Sequence, residues 1–148
     1  MEKAVINIKK KTDVQSANIC IAYYSTLWYT EIGEQKLIKP VHPKTIVIYQ
    51  DHNEYEPFTE WLNSLKDKEG RKRILARLRR LEQGNYGDCK ALKDGVMELR
   101  IFSGPGYRIY FAEEDDQIVI LLCGGDKSSQ QEDIMKAKQY WKEYQDHA

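Results

Sequence analysis

The sequence predicts an α+β fold, one twisted sheet with helices packed on it. Three observations predict it. The apolar period changes from 3.6 to 2 past Gly84, a near-continuous apolar run at Ile118–Cys123 marks a buried strand, and an amphipathic segment follows that run. Thr45–Tyr49 (Thr-Ile-Val-Ile-Tyr) is a short β-branched run that reads as a strand, and Asp51–Glu54 breaks it. Phe58, Trp61, Leu62 and Leu65 then form one helical face, with Pro57 in the first turn, where its missing N–H costs nothing. Gly70 is read as an interruption. The next helix carries Ile74, Leu75, Leu78 and Leu81 and stops at Gly84, so the two helices are expected as an antiparallel hairpin.

Beyond Gly84, Val96–Phe102 and Tyr107–Glu113 alternate as strands around the turn Ser103-Gly104-Pro105-Gly106. Glu114-Asp115-Asp116 is a polar turn. Ile118–Cys123 is the third strand of this run, and Gly124 and Gly125 are expected to end it. A last helix begins near Ser129, with Glu132 at capping-box spacing and Ile134, Ala137, Trp141 and Tyr144 along its apolar face. Residues 1–43 read as an N-terminal extension, with an extended stretch at Ile19–Ile32 and prolines at Pro40 and Pro43. Residues 44–148 read as the compact domain.

The chain has 148 residues, 41% of them hydrophobic, which suffices for a core. Lys plus Arg number 23, as do Asp plus Glu, so a uniformly basic nucleic-acid coat is excluded and any charge asymmetry must be local. The longest apolar run falls far short of a membrane span, and no secretory signal is visible. Cys20, Cys89 and Cys123 are too few and too far apart for a disulfide framework, and the histidines are scattered, so neither a disulfide scaffold nor a structural zinc site is expected. A cytoplasmic location is the simplest expectation.

Strand alternation points to the chemistry. Glu98 and Arg100 share one face of their strand, and Arg108 and Tyr110 one face of the next. If the apolar sets face the helices, these four lie together on an open face, with Lys127 just beyond the Gly-Gly pair. Guanidinium forks match phosphate oxygens and could stabilise charge developing on a phosphorane. The same residues also fit cross-strand ion pairing of Glu98 with Arg100 or Arg108. The second helix adds a basic stripe in which Arg73, Arg77 and Arg80 fall on one face. It suits RNA phosphates or an acidic partner, or is a solvated helix face. Trp61 and Trp141 stand at core spacing, and Cys123 reads as a small core residue.

Five blocks in order carry a family resemblance: Phe58-Thr-Glu-Trp61-Leu62, Ile74 through Asp88, Glu98-Leu-Arg100, Gly104-Pro-Gly-Tyr107-Arg108-Ile-Tyr110-Phe, and Leu122-Cys-Gly-Gly125-Asp126-Lys127-Ser. Together they resemble the HigB-like addiction module killer proteins, also called phage-derived Gp49-like proteins, of the RelE/ParE toxin superfamily. The resemblance spans roughly residues 45–145. It implies a RelE/ParE-like twisted antiparallel sheet packed by an N-terminal helical hairpin and a C-terminal helix. It also implies the toxin of a type II toxin–antitoxin system, with a cognate helix-turn-helix antitoxin as partner.

Many RelE and HigB relatives cut mRNA on the ribosome by attack of a 2′-hydroxyl on the adjacent phosphate, with no metal or cofactor. A ParE-like gyrase inhibitor, or a catalytically silent antitoxin- or RNA-binding module, is the alternative. Carried over by position, Arg100 matches the strand arginine that contacts the scissile phosphate. Arg108 falls where the family has a basic residue, and so does Lys127. Asp133 stands where the best-understood RelE relatives have a tyrosine that helps proton transfer. Tyr107 and Tyr110 are the other proton carriers the resemblance leaves open.

Overall fold

The computed structural model describes residues 42–148; the extension read at residues 1–43 falls almost entirely outside them. The described chain forms a five-stranded sheet and three helices. In chain order these are β1 (Thr45–Ile48), α1 (Pro57–Ser64), α2 (Lys68–Glu82), β2 (Cys89–Ala91), β3 (Val96–Ile101), β4 (Tyr107–Glu114), β5 (Ile118–Asp126) and α3 (Gln130–His147). The sheet order is β1-β5-β4-β3-β2. Strands β3 to β5 are antiparallel neighbours, as expected, and the unexpected β2 pairs antiparallel with β3, but β1 runs parallel to β5, with Thr45 opposite Ile118 and Ile48 opposite Leu121. The sheet is therefore mixed. The two helices between β1 and the rest of the sheet provide the long crossover that a parallel pair needs.

The helices begin and end for local reasons. Pro57 opens α1, whose inward residues Phe58 and Leu62 are buried. The chain breaks at Leu65–Asp67, where Leu65 is extended, and not at Gly70. Gly70 is a buried residue in the first turn of α2, and its N–H donates to the capping carboxylate of Asp67 at 2.9 Å. The Arg71 guanidinium donates back to the Leu65 and Asn63 carbonyls at 2.5 and 3.2 Å, tying α2 to the C-terminal end of α1. Both helices take their principal contacts from the sheet, α1 from β5 and α2 from β3. In the β4–β5 turn, Asp115 and Asp116 both have positive φ, the backbone that a tight hairpin requires and that Asp tolerates.

Two glycines explain how the sheet is covered. Gly124 and Gly125 do not end β5; they lie within it, opposite Ile109 and Arg108. A Cβ on Gly124 would come within 2.2 Å of the Trp61 ring of α1, and one on Gly125 within 1.9 Å of the Asp133 carboxylate of α3. Successive strand residues face opposite ways, so α1 and α3 pack on opposite faces. Tyr107 meets both Trp61 and Asp67, which puts α2 on the same face as α1. The α3 face holds a core of Tyr49, Val96, Tyr110, Ala112, Ile120, Leu122, Cys123, Ala137 and Trp141. A bulge between β4 and β5 at Tyr110/Phe111 lets both Leu122 and Cys123 join it. At the start of α3, Ser129 makes no capping bond. Its hydroxyl donates to Asp133 at 2.5 Å, so the Glu132 capping box does not form.

Candidate phosphate-binding site

The sheet face expected to be open is covered by α3. Glu98 and Tyr110 are fully buried beneath it, and only Arg100 and Arg108 reach the rim, with side chains 34% and 14% exposed. The cause is the apolar face of α3, whose Ala137 and Trp141 must be buried somewhere and find Tyr110 and its neighbours.

Arg100 and Arg108 are direct cross-strand partners on β3 and β4. Both turn toward Glu98, and both do so through Nε. Arg100 Nε donates to Glu98 Oε1 at 2.9 Å, and Arg108 Nε lies 3.5 Å from Oε2, in ion-pair range but without a well-formed hydrogen bond. Gln130, the first residue of α3, donates to the same Oε2 at 2.8 Å, and the Tyr110 hydroxyl approaches it at 3.4 Å. Burial alone would raise the Glu98 pKa. The Arg100 and Gln130 hydrogen bonds and the Arg108 charge outweigh it and leave the carboxyl below its ordinary range, hence ionised. Among the described residues, neither arginine donates a hydrogen bond through Nη, and each comes nearest to Glu98 through Nε. The ion-pair reading of this cluster is therefore realised, and among the described residues it leaves four Nη groups without a hydrogen bond.

The other named residues divide around this centre. Lys127 is exposed just past β5, with its Cβ over Gly106 in the β3–β4 turn. Asp133 is buried against Gly125, the strand partner of Arg108, on the same face as the arginines. Tyr110 lies behind Glu98, and burial first, then the Glu98 charge, push its phenol pKa up. Tyr107 is not brought to the arginines. It points to the opposite face, where its hydroxyl donates to Asp67 at 2.9 Å. Cys123 is a core residue, its thiol pushed up to about 12 by burial and then by Asp133.

The basic stripe of α2 is also divided. Arg77 donates to the Tyr86 carbonyl at 2.8 Å, so it holds the loop that leads to β2. Arg73 stands at the end of β3, 3.4 Å from the Phe102 carbonyl, and Arg80 is exposed. Sequence reasoning missed Gln130, for which no local signal exists: only the docking of α3 brings it to Glu98.

Residues 60–142, which hold every member of this cluster, match the family model described as phage-derived protein Gp49-like (DUF891). The chain belongs to the Gp49-like family. That family comprises RelE/HigB-like toxins, and membership implies an antitoxin partner. This Gp49-like chain is also 51% identical over 81 residues to an uncharacterised protein of Haemophilus influenzae (strain ATCC 51907 / DSM 11121 / KW20 / Rd), covering 55% of this chain and 82% of the relative. Among the described residues, no helix is long and apolar enough to cross a membrane, and no group of three or more His, Cys, Asp or Glu could hold a metal ion.

Proposed function

We propose that this Gp49-like toxin is an endoribonuclease that cuts mRNA on the ribosome and that its paired arginines hold the scissile phosphate. The observation that supports this reading is the division of labour within each guanidinium: Nε faces the protein's own carboxylate, and the Nη pair is left for a ligand. In the reaction the 2′-hydroxyl gives up its proton and its oxygen bonds to the adjacent phosphorus. The P–O5′ bond then breaks, and the 5′-oxygen takes a proton. Negative charge builds on the non-bridging oxygens as the phosphorane forms. Nη donors of Arg100 and Arg108 and the ammonium of Lys127 meet it there. Asp133 is the candidate proton carrier beside Arg108, while Tyr110 is shielded by Glu98. The exposed basic residues of α2, Arg73 and Arg80, supply longer-range attraction to RNA.

The test is a transcriptome-wide map of RNA 5′ ends shortly after induction in a bacterium, beside Arg100→Ala and Lys127→Ala controls. New cuts inside translated codons, in phase with the reading frame and absent from both controls, are expected. Growth arrest with DNA damage and intact mRNA would overturn the reading in favour of gyrase. Absence of arrest would overturn it in favour of a silent binder.

A further inference from the structure

We propose that Glu98 is a positioning residue: it aims the Nη groups of Arg100 and Arg108 outward by holding both Nε groups from beneath, and Gln130 locks it to α3. The inference rests on the proposed phosphate site and goes beyond it, because Glu98 is fully buried and itself touches no substrate. Three observations carry it. First, Glu98 is a buried carboxylate on which four side chains from three elements converge. Second, Arg100 and Arg108 are directly opposite on adjacent strands, where like charges repel unless a counter-charge lies between them. Third, Arg108 Nε is buried without a hydrogen-bond partner, and among the described residues the carboxylate within ion-pair distance of that guanidinium is Glu98, with the Asp126 charge acting from farther off.

The alternative is that Arg100, Arg108 and Lys127 form a simple charge patch, and the two accounts predict opposite signs. Glu98→Gln removes a negative charge from beside the phosphate. A charge patch then grips RNA more tightly and cuts it as fast or faster. A positioned pair loses its aim, and misplacement on the order of 1 Å costs roughly 100-fold in rate.

The experiment is single-turnover cleavage of mRNA on programmed ribosomes by the purified full chain. It compares parent, Arg100→Ala, Glu98→Gln and Gln130→Ala, with circular dichroism on each. The expected result for Glu98→Gln is a maximum rate down roughly 10- to 100-fold with half-saturation moved less than about threefold. Gln130→Ala is expected to lower the rate by about threefold or more, since it keeps the carboxylate but removes its tie to α3. An inactive Arg100→Ala with Glu98→Gln as fast as the parent would overturn the positioning role and leave the phosphate site standing. A fully active Arg100→Ala would instead overturn the phosphate site itself. Should Glu98→Gln fail to fold, Gln130→Ala decides: an unchanged rate refutes the positioning role, and a reduced one supports it.

Discussion

Replacing Gly124 with alanine is expected to destabilise the fold, because the added methyl would occupy space already filled by Trp61. Its Cβ would lie 2.2 and 2.3 Å from two ring carbons and 2.6 Å from a third. Ordinary carbon contacts are about 3.5 Å, so the ring must retreat on the order of 1 Å. It is poorly placed to do so. Phe58, fully buried, packs at a centroid distance of 5.9 Å, and Tyr107 meets it edge-on at 6.1 Å while its hydroxyl is held by Asp67. Room to move lies toward a cleft of about 560 Å³ that Trp61 lines together with Gly125, Asp133 and Tyr140. A ring driven into that cleft gives up contact with Phe58 and Tyr107. Overpacking of this kind costs about 1–3 kcal/mol. In a domain of roughly 100 residues, 2–3 kcal/mol lowers Tm by about 10–20 °C.

A double-mutant cycle separates the clash from any intrinsic effect of alanine. The backbone of Gly124 does not require positive φ, and alanine without an obstacle stabilises such a position by about 0.4–1 kcal/mol. In a Trp61→Leu background, Gly124→Ala is therefore expected to be neutral or stabilising, and the coupling between the two sites to reach about 2–4 kcal/mol. Thermal and urea melts of the four proteins give the cycle. Equal destabilisation in both backgrounds, or a parent Tm unmoved by Gly124→Ala, would refute the packing argument.

Tyr107→Phe removes the donor to Asp67 and is expected to cost about 1 kcal/mol, seen in a urea melt, while induced cells still arrest, because the hydroxyl lies on the face away from the arginines; lost toxicity at parental stability would place Tyr107 in the chemistry. Burial lowers the Lys44 pKa, but its bonds to Asp116 and Tyr86 and the Glu113 charge more than offset this, so the folded value lies above the ordinary 10.5. A raised folded pKa stabilises fully below the unfolded value, and that stability is lost as pH rises through the folded one, so Tm is expected to hold through pH 9 and fall beyond 10.5. Lys44→Met should lower Tm at pH 8 and flatten the alkaline fall; a curve parallel to the parent's would exclude Lys44.

The fold was legible wherever local period and local packing agree. The face formed by Ile74, Leu78 and Leu81 and the alternation through Val96–Ile101 and Tyr107–Glu114 mark elements that are present. What escaped depends on distant partners. Strand β2 has three residues, Cys89–Ala91, too few to show a period. The direction of β1 is absent from its composition, since Thr-Ile-Val-Ile suits a parallel or an antiparallel neighbour. The Gly124-Gly125 pair looks like a stop signal and is a contact requirement, set by Trp61 from one side and Asp133 from the other. At the site, alternation separates Arg108 and Tyr110 from Tyr107. It cannot tell which face α3 will cover, so Glu98 and Tyr110 looked exposed when they are buried.

The buried carboxylate also explains why ion pairing and phosphate binding are compatible uses of the same arginines. A lone ionised glutamate in a protein interior is costly unless paired, and one partner would have sufficed to neutralise it. Glu98 has two, and they face each other across β3 and β4. Asp88 also acts on the Arg100 charge and Asp126 on the Arg108 charge, but neither comes within ion-pair distance, so close pairing sets one negative charge against two positive ones. Each guanidinium can offer its fork to only one side at a time, and Nε is the edge turned to Glu98, hydrogen-bonded in Arg100 and held by charge alone in Arg108. The donors that Glu98 does not engage are therefore those turned away from it. Had the pairs formed through Nη, the forks would have closed on Glu98, and the cluster would be an ordinary structural salt bridge with little left to offer an anion.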